Sequence, residues 1–151
     1  MNGSDNTTGR VLVVDDEPCI REVIGECLKL EGYLVDEASS AAEAVRLFMR
    51  HNYDLLTLDL HMPGLDGSQL HQILTEEFDY KCVSVNVRRR LPPILIITGS
   101  ADNPQVLQWL GRKQIAGVLQ KPIRPSRLLN AVQEILSIRP KRRNGLQSTL
   151  N

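Results

Sequence analysis

The chain has 151 residues, which is the size of one domain with a single core. Its 18 Lys and Arg residues balance 18 Asp and Glu residues, so no net positive field favours nucleic acid. No apolar run approaches the ~20 residues that cross a bilayer, and the three cysteines form no close pair. We therefore expect a cytoplasmic protein whose chain binds neither nucleic acid nor a membrane.

Patterns typical of buried strands alternate with helical patterns along the chain. Apolar runs suited to parallel strands cover residues 10–14, 33–37, 54–60, 93–98 and 117–119. After each run, apolar residues recur at three- and four-residue steps, as on one side of a helix. Ser40 and Glu43 match a capping box at the second helix. Val106, Leu107 and Leu110 predict the apolar face of the fourth helix. The (βα)5 order predicts an α/β fold: a doubly wound, five-stranded parallel sheet in a single domain.

Polar side chains follow the carboxyl ends of four predicted strands. Asp15 and Asp16 follow the first strand, Asp59 lies near the end of the third, Thr98 ends the fourth and Lys121 follows the fifth. Ligands bind at this edge of such sheets. Neighbouring carboxylates resist joint ionisation unless a cation neutralises them, and ligand sets made of oxygen suit Mg²⁺. We therefore predict a Mg²⁺ site at this edge, with Lys121 and Thr98 as partners for a phosphoryl oxygen.

With these residues, the chain resembles a response-regulator receiver domain of two-component signalling, from the CheY-like superfamily. The resemblance covers residues 10–138. The matching segments, in order, are Val-Val-Asp-Asp-Glu at 13–17, Asp-Leu-His-Met-Pro-Gly-Leu-Asp-Gly at 59–67, Thr-Gly at 98–99 and Lys-Pro at 121–122. Each match alone is weak, and their order at matching strand ends makes the resemblance specific. It implies a flavodoxin-like fold.

The resemblance also implies a role for each site residue. Asp59 would be the phosphoacceptor, Lys121 would pair with the phosphoryl group, and the Thr98 hydroxyl would move toward it. The Lys121–Pro122 peptide bond would be cis. The implied Mg²⁺ ligands are Asp15, Asp16, Asp59 and the backbone carbonyl of His61.

The implied partners are a sensor histidine kinase or a phosphotransfer protein as donor, and a downstream protein whose contacts change on phosphorylation. The domain would catalyse only its own phosphorylation and dephosphorylation. One alternative is a receiver-like scaffold that binds partners without phosphorylation. Another is a phosphohydrolase with Asp59 as nucleophile, although such enzymes normally carry a second carboxylate where this chain has His61.

The chain departs from the family pattern in two places. Val118 stands where an aromatic switch residue is usual, so we expect activation through Thr98 and the following loop alone. Residues 79–90 are an apparent insertion between the third helix and the fourth strand, which is either a partner surface or a tolerated addition.

The composition of residues 1–9 predicts a disordered leader, and that of residues 139–151 predicts a basic, polar tail. Trp109 fits either the core or a partner surface.

Overall fold

The fold is built on a parallel β-sheet, seen in a computed structural model that describes residues 8–64, 69–75 and 91–138. The sheet has five strands in the order β2-β1-β3-β4-β5. They are β1 (Arg10–Val14), β2 (Leu34–Ala38), β3 (Leu55–Leu58), β4 (Ile94–Thr98) and β5 (Ile115–Gln120). Because the winding order reverses beside β1, the carboxyl ends of β1 and β3 border a crevice suited to ligands. The doubly wound fold predicted from the sequence is confirmed.

A helix follows each strand. The helices are α1 (Pro18–Leu30), α2 (Ala41–Arg50), α3 (residues 69–75), α4 (Pro104–Leu110) and α5 (Pro125–Ile138). Pro18 suits the first turn of α1 because its missing N–H has no partner to lose there. The predicted cap of α2 is present: the Ser40 hydroxyl accepts from the Glu43 N–H at 3.2 Å. The Glu43 carboxylate reaches back to the Ser39 N–H at 3.0 Å, which satisfies a second backbone donor ahead of the helix.

Two apolar cores cover the two faces of the sheet. Helices α1 and α5 pack on one face, and α2, α3 and α4 pack on the other. Large buried side chains from all five helices take part, among them Ile24, Leu28, Phe48, Leu70, Leu74, Trp109 and Leu128. The sheet is thus covered on both sides, which accounts for the nearly continuous apolar runs of its central strands.

Helix α4 differs from its predicted amphipathic pattern. Val106 is buried as expected, but Leu107 is 58 % exposed and Leu110 is 46 % exposed. Trp109 is only 5 % exposed and takes the place in the core that was assigned to those leucines. The prediction was therefore wrong for Leu107 and Leu110, and the open question about Trp109 is answered in favour of the core.

Three predicted segments fall wholly or largely on residues that the structure does not describe. They are the leader at 1–9, of which only Thr8 and Gly9 are described, the insertion at 79–90 and the tail at 139–151. The Thr8 N–H donates to the Gly32 carbonyl in the turn that links α1 and β2, and the Gly9 carbonyl accepts from the Leu34 N–H at the start of β2. Among the described residues, no helix has the length and apolarity that a membrane crossing requires.

Candidate functional site

The predicted site residues lie together at the carboxyl edge of the sheet. Asp15 directly follows β1, Asp59 directly follows β3, Thr98 ends β4 and Lys121 directly follows β5. The Asp59 N–H donates to the Val14 carbonyl at 3.1 Å, and the Lys121 N–H donates to the Thr98 carbonyl at 2.8 Å. These hydrogen bonds continue the strand pairing just past the strand ends. The side chains that follow neighbouring strands therefore lie close together at this edge.

Lys121 is the cation at the centre of this edge. Its Nζ lies 2.9 Å from Asp15 Oδ2, 3.0 Å from Glu17 Oε1 and 3.3 Å from Asp59 Oδ2. Burial of the side chain opposes its charged form, but the contacts with Asp15 and Glu17 outweigh burial and raise the pKa of Lys121. The ammonium therefore stays protonated and is shared among three carboxylates.

Asp59 is a buried carboxylate, 3 % exposed, with both oxygens in contact. Oδ1 accepts the His61 N–H at 3.0 Å, and Oδ2 faces Lys121. Burial is the largest influence and raises the pKa of Asp59; the His61 N–H and Lys121 work in the opposite direction, and neighbouring Asp15 raises it further. The fold therefore places this carboxylate where its charge needs neighbouring cations.

Four acidic residues crowd around this position. One carboxylate oxygen each from Asp15, Asp16, Glu17 and Asp59 falls within 4.8 Å of the others. Asp15 Oδ2 is buried and accepts no hydrogen bond of regular geometry from any described residue, although Lys121 is near. A set of carboxylate oxygens with spare lone pairs, and without His or Cys, fits a hard divalent cation such as Mg²⁺. His61 is exposed and approaches the site through its backbone N–H; its carbonyl as a ligand stays a prediction.

Thr98 lies at the same edge, and its hydroxyl contacts the loop that follows β4. It is fully buried, and its Oγ1 accepts the Ser100 N–H at 3.3 Å. Within the described part of the chain, no side-chain hydrogen bond joins Thr98 to Asp59 or Lys121. Thr98 thus holds the start of the loop before α4, and its approach to a phosphoryl group stays a prediction.

Comparison with known proteins identifies the family to which this chain belongs. Residues 11–133 match the family model of the response regulator receiver domain. The chain belongs to this family. The receiver domain is 30 % identical over 127 residues to the transcriptional regulatory protein ResD of Bacillus subtilis, covering 84 % of this chain and 48 % of ResD. It spans less than half the length of the first curated relatives that it matches.

Solved structures agree with this family assignment. The chemotaxis response regulator CheY4 of Vibrio cholerae is 29 % identical, with a TM-score of 0.67 and coverage of 84 % of this chain and 98 % of CheY4. The response regulator TrrA of Thermotoga maritima is 30 % identical with a TM-score of 0.65, again over 84 % of this chain and 98 % of the other. That structure of TrrA is a complex with Mg²⁺ and beryllium fluoride.

The receiver domain also contains contacts that sequence reasoning missed. Glu17 belongs to the Val-Val-Asp-Asp-Glu segment, from which no role for it was predicted, yet it pairs with Lys121. Arg21 supports the site from α1 by donating from its guanidinium to the Asp15 carbonyl at 2.8 Å. The only sequence signal for these two contacts was that both residues lie close to the acidic pair in the chain.

The Lys121–Pro122 bond is cis, as the resemblance implied. Val118 is half-buried against the core on the α3 and α4 side, without an aromatic ring.

Proposed function

We propose that this receiver domain signals through phosphorylation of Asp59. A sensor histidine kinase or a phosphotransfer protein donates the phosphoryl group in a Mg²⁺-dependent reaction, and the product changes contacts with a downstream protein. The observation that carries the proposal is the buried Asp59 carboxylate with Lys121 Nζ at 3.3 Å from Oδ2. A carboxylate nucleophile needs little besides alignment and neutralisation of the phosphoryl oxygens, and a neighbouring ammonium provides such neutralisation.

Each part of the site has a task in this reaction. Attack forms a bond between an Asp59 oxygen and phosphorus and breaks the P–N bond of the donor phosphohistidine. The His61 N–H fixes one Asp59 oxygen and so limits rotation of the carboxylate. Lys121 neutralises negative charge on the transferred group. Thr98 turns toward the phosphoryl oxygens afterwards and draws the following loop with it, which changes the surface near α4.

The cation site of the proposal uses residues whose carboxylate oxygens already lie close together. Asp15, Asp16, Asp59 and the His61 carbonyl would hold Mg²⁺, and the crowded oxygens support this choice. Bound Mg²⁺ supplies further neutralisation of the phosphoryl oxygens. The TrrA structure, at 30 % identity, is a complex with Mg²⁺ and beryllium fluoride, which supports a Mg²⁺ site in this chain. We place the domain in the cytoplasm, where histidine kinases present their phosphoryl groups.

The proposal is tested by incubation with acetyl phosphate and Mg²⁺, followed by intact-mass measurement. We expect one phosphoryl group on the wild-type chain and none on Asp59→Asn. The matched control is Asp54→Asn, because Asp54 precedes the same strand that Asp59 follows and accepts the Arg10 N–H at the opposite edge. This control should label like the wild type.

Other outcomes would favour the alternatives. An unlabelled wild-type chain would favour a scaffold that works without phosphorylation. Many turnovers of phosphate release without a labelled intermediate would favour a phosphohydrolase. Equal labelling of wild type and Asp59→Asn would mean that another residue is the acceptor.

A further inference from the structure

The Lys121 ammonium is shared among three carboxylates in this structure: it hydrogen-bonds to Glu17 and Asp59 and forms an ion pair with Asp15. An ammonium carries three donors, and its three contacts are the carboxylates of Asp15, Glu17 and Asp59. Under the proposed function, a phosphoryl group on Asp59 also needs a donor from Lys121. The phosphoryl oxygens then compete with these carboxylates for the one ammonium charge, so an existing contact weakens when the phosphoryl group arrives.

Exposure distinguishes the three carboxylates. The side chains of Asp15 and Asp59 are 2 % and 4 % exposed, whereas that of Glu17 is 58 % exposed. A buried carboxylate that loses its cation is left without solvation, but an exposed one is rehydrated at once. Glu17 is therefore the partner that Lys121 can leave most easily.

Apart from its contact with Lys121, the Glu17 carboxylate makes no hydrogen bond or ion pair with a described residue that would hold it in place. It occupies the N-cap of α1, yet its side chain makes no capping hydrogen bond. Its backbone N–H donates to Asp15 Oδ1 at 2.9 Å, which fixes the backbone and leaves the side chain to Lys121. Lys121 is the one partner of this carboxylate among residues 8–64, 69–75 and 91–138.

We propose that Glu17 is a positioning residue that holds Lys121 in the unphosphorylated receiver and gives it up to the phosphoryl group. This inference rests on the function proposed above. Glu17 then opposes phosphorylation, because its contact with Lys121 is lost in the product. An ion pair with one exposed member is worth a factor of about two to five in an equilibrium constant, and that factor is the expected size of the effect.

The test measures the affinity of the whole chain for beryllofluoride in saturating Mg²⁺, followed by amide NMR shifts. Glu17→Gln removes the charge, and Glu17→Asp keeps the charge but shortens the reach toward Lys121 by one methylene. Both variants should bind beryllofluoride about two- to fivefold more tightly than the wild type. Glu22→Gln, an exposed acidic position on α1, is the control for net charge and should bind like the wild type.

Three results would overturn the inference. The first is wild-type affinity in both Glu17 variants. The second is tighter binding in Glu17→Gln but not in Glu17→Asp, since that pattern reports net charge rather than a contact. The third is a several-fold loss of Mg²⁺ affinity in Glu17→Gln without beryllofluoride, which would make Glu17 a cation ligand.

If the wild type neither binds beryllofluoride nor is labelled on Asp59, both the proposed function and this inference are wrong. If the wild type does both, only the inference is at stake.

Discussion

Mild acid is expected to destabilise this domain through His71, a histidine in α3 that is 2 % exposed. Its Nδ1 lies 3.4 Å from a guanidinium nitrogen of Arg112. Arginine can only donate, so Nδ1 accepts and Nε2 carries the ring proton. Among the residues that the structure describes, Nε2 has no hydrogen-bond partner. The ring also meets Trp109 edge-on at 4.7 Å between centroids. The site is therefore built for a neutral imidazole.

The direction of the effect follows from the pKa of His71. Burial lowers this pKa most, and the charge of Arg112 lowers it further, from an ordinary value of 6.5. In the unfolded chain the same histidine takes up a proton below about pH 6.5. The contribution of neutral His71 to the free energy of unfolding is thus complete above that pH. It is lost as the pH falls toward the lower pKa of His71 in the folded state.

The loss of stability that His71 causes in mild acid has an upper bound. If folded His71 stays neutral at about pH 5.5, protonation of the unfolded chain one unit below its pKa removes about 1.4 kcal/mol of the free energy of unfolding. His71→Phe keeps an aromatic ring beside Trp109 and removes the titration. Between about pH 7.5 and 5.5, the wild type should lose up to about 1.4 kcal/mol more stability than His71→Phe does.

Urea unfolding followed by far-UV circular dichroism at both pH values measures this difference. Subtracting the variant from the wild type cancels the other titrating groups. A third sample, Arg112→Gln, removes the neighbouring charge and should show a smaller acid-dependent loss than the wild type. Equal acid-dependent losses in the wild type and His71→Phe would refute the reasoning.

Three further outcomes are expected. Gly25→Ala should raise the free energy of unfolding, measured with urea, by about 0.5–1 kcal/mol, because alanine suits a helix interior better than glycine. The new Cβ would lie 2.7 Å from the movable end of the Glu37 side chain and would otherwise make ordinary contacts. A loss of stability would show that Glu37 cannot move. Asp16→Ala should abolish saturable Mg²⁺ binding in NMR titrations, and unchanged affinity would remove Asp16 from the ligand set. Beryllofluoride should shift amides at 98–106 strongly and those at 79–90 little, because residues 91–93 lead into the start of β4 and Thr98 ends it; the reverse pattern would contradict a switch based on Thr98.

The sequence predicted the fold and the main site because both are recorded in local patterns. Strand and helix periods alternate in an order that few windings satisfy. In a parallel sheet, the carboxyl ends of all strands share one edge, so polar residues at strand ends can be grouped without coordinates. That reasoning placed Asp15, Asp59, Thr98 and Lys121 at one edge, where the structure has them.

The tertiary structure decided which side chains touch and which are buried. Lys121 and Glu17 are 104 residues apart in sequence, so their contact depends on how β5 packs beside the earlier strands. Trp109 rather than Leu107 enters the core because α4 turns the face that carries Trp109 toward the sheet, where the indole ring contacts both His71 and Arg112. The raised pKa of Asp59 arises first from burial. Composition and spacing list the candidate charges, but desolvation and contact distances are properties of the packed chain alone.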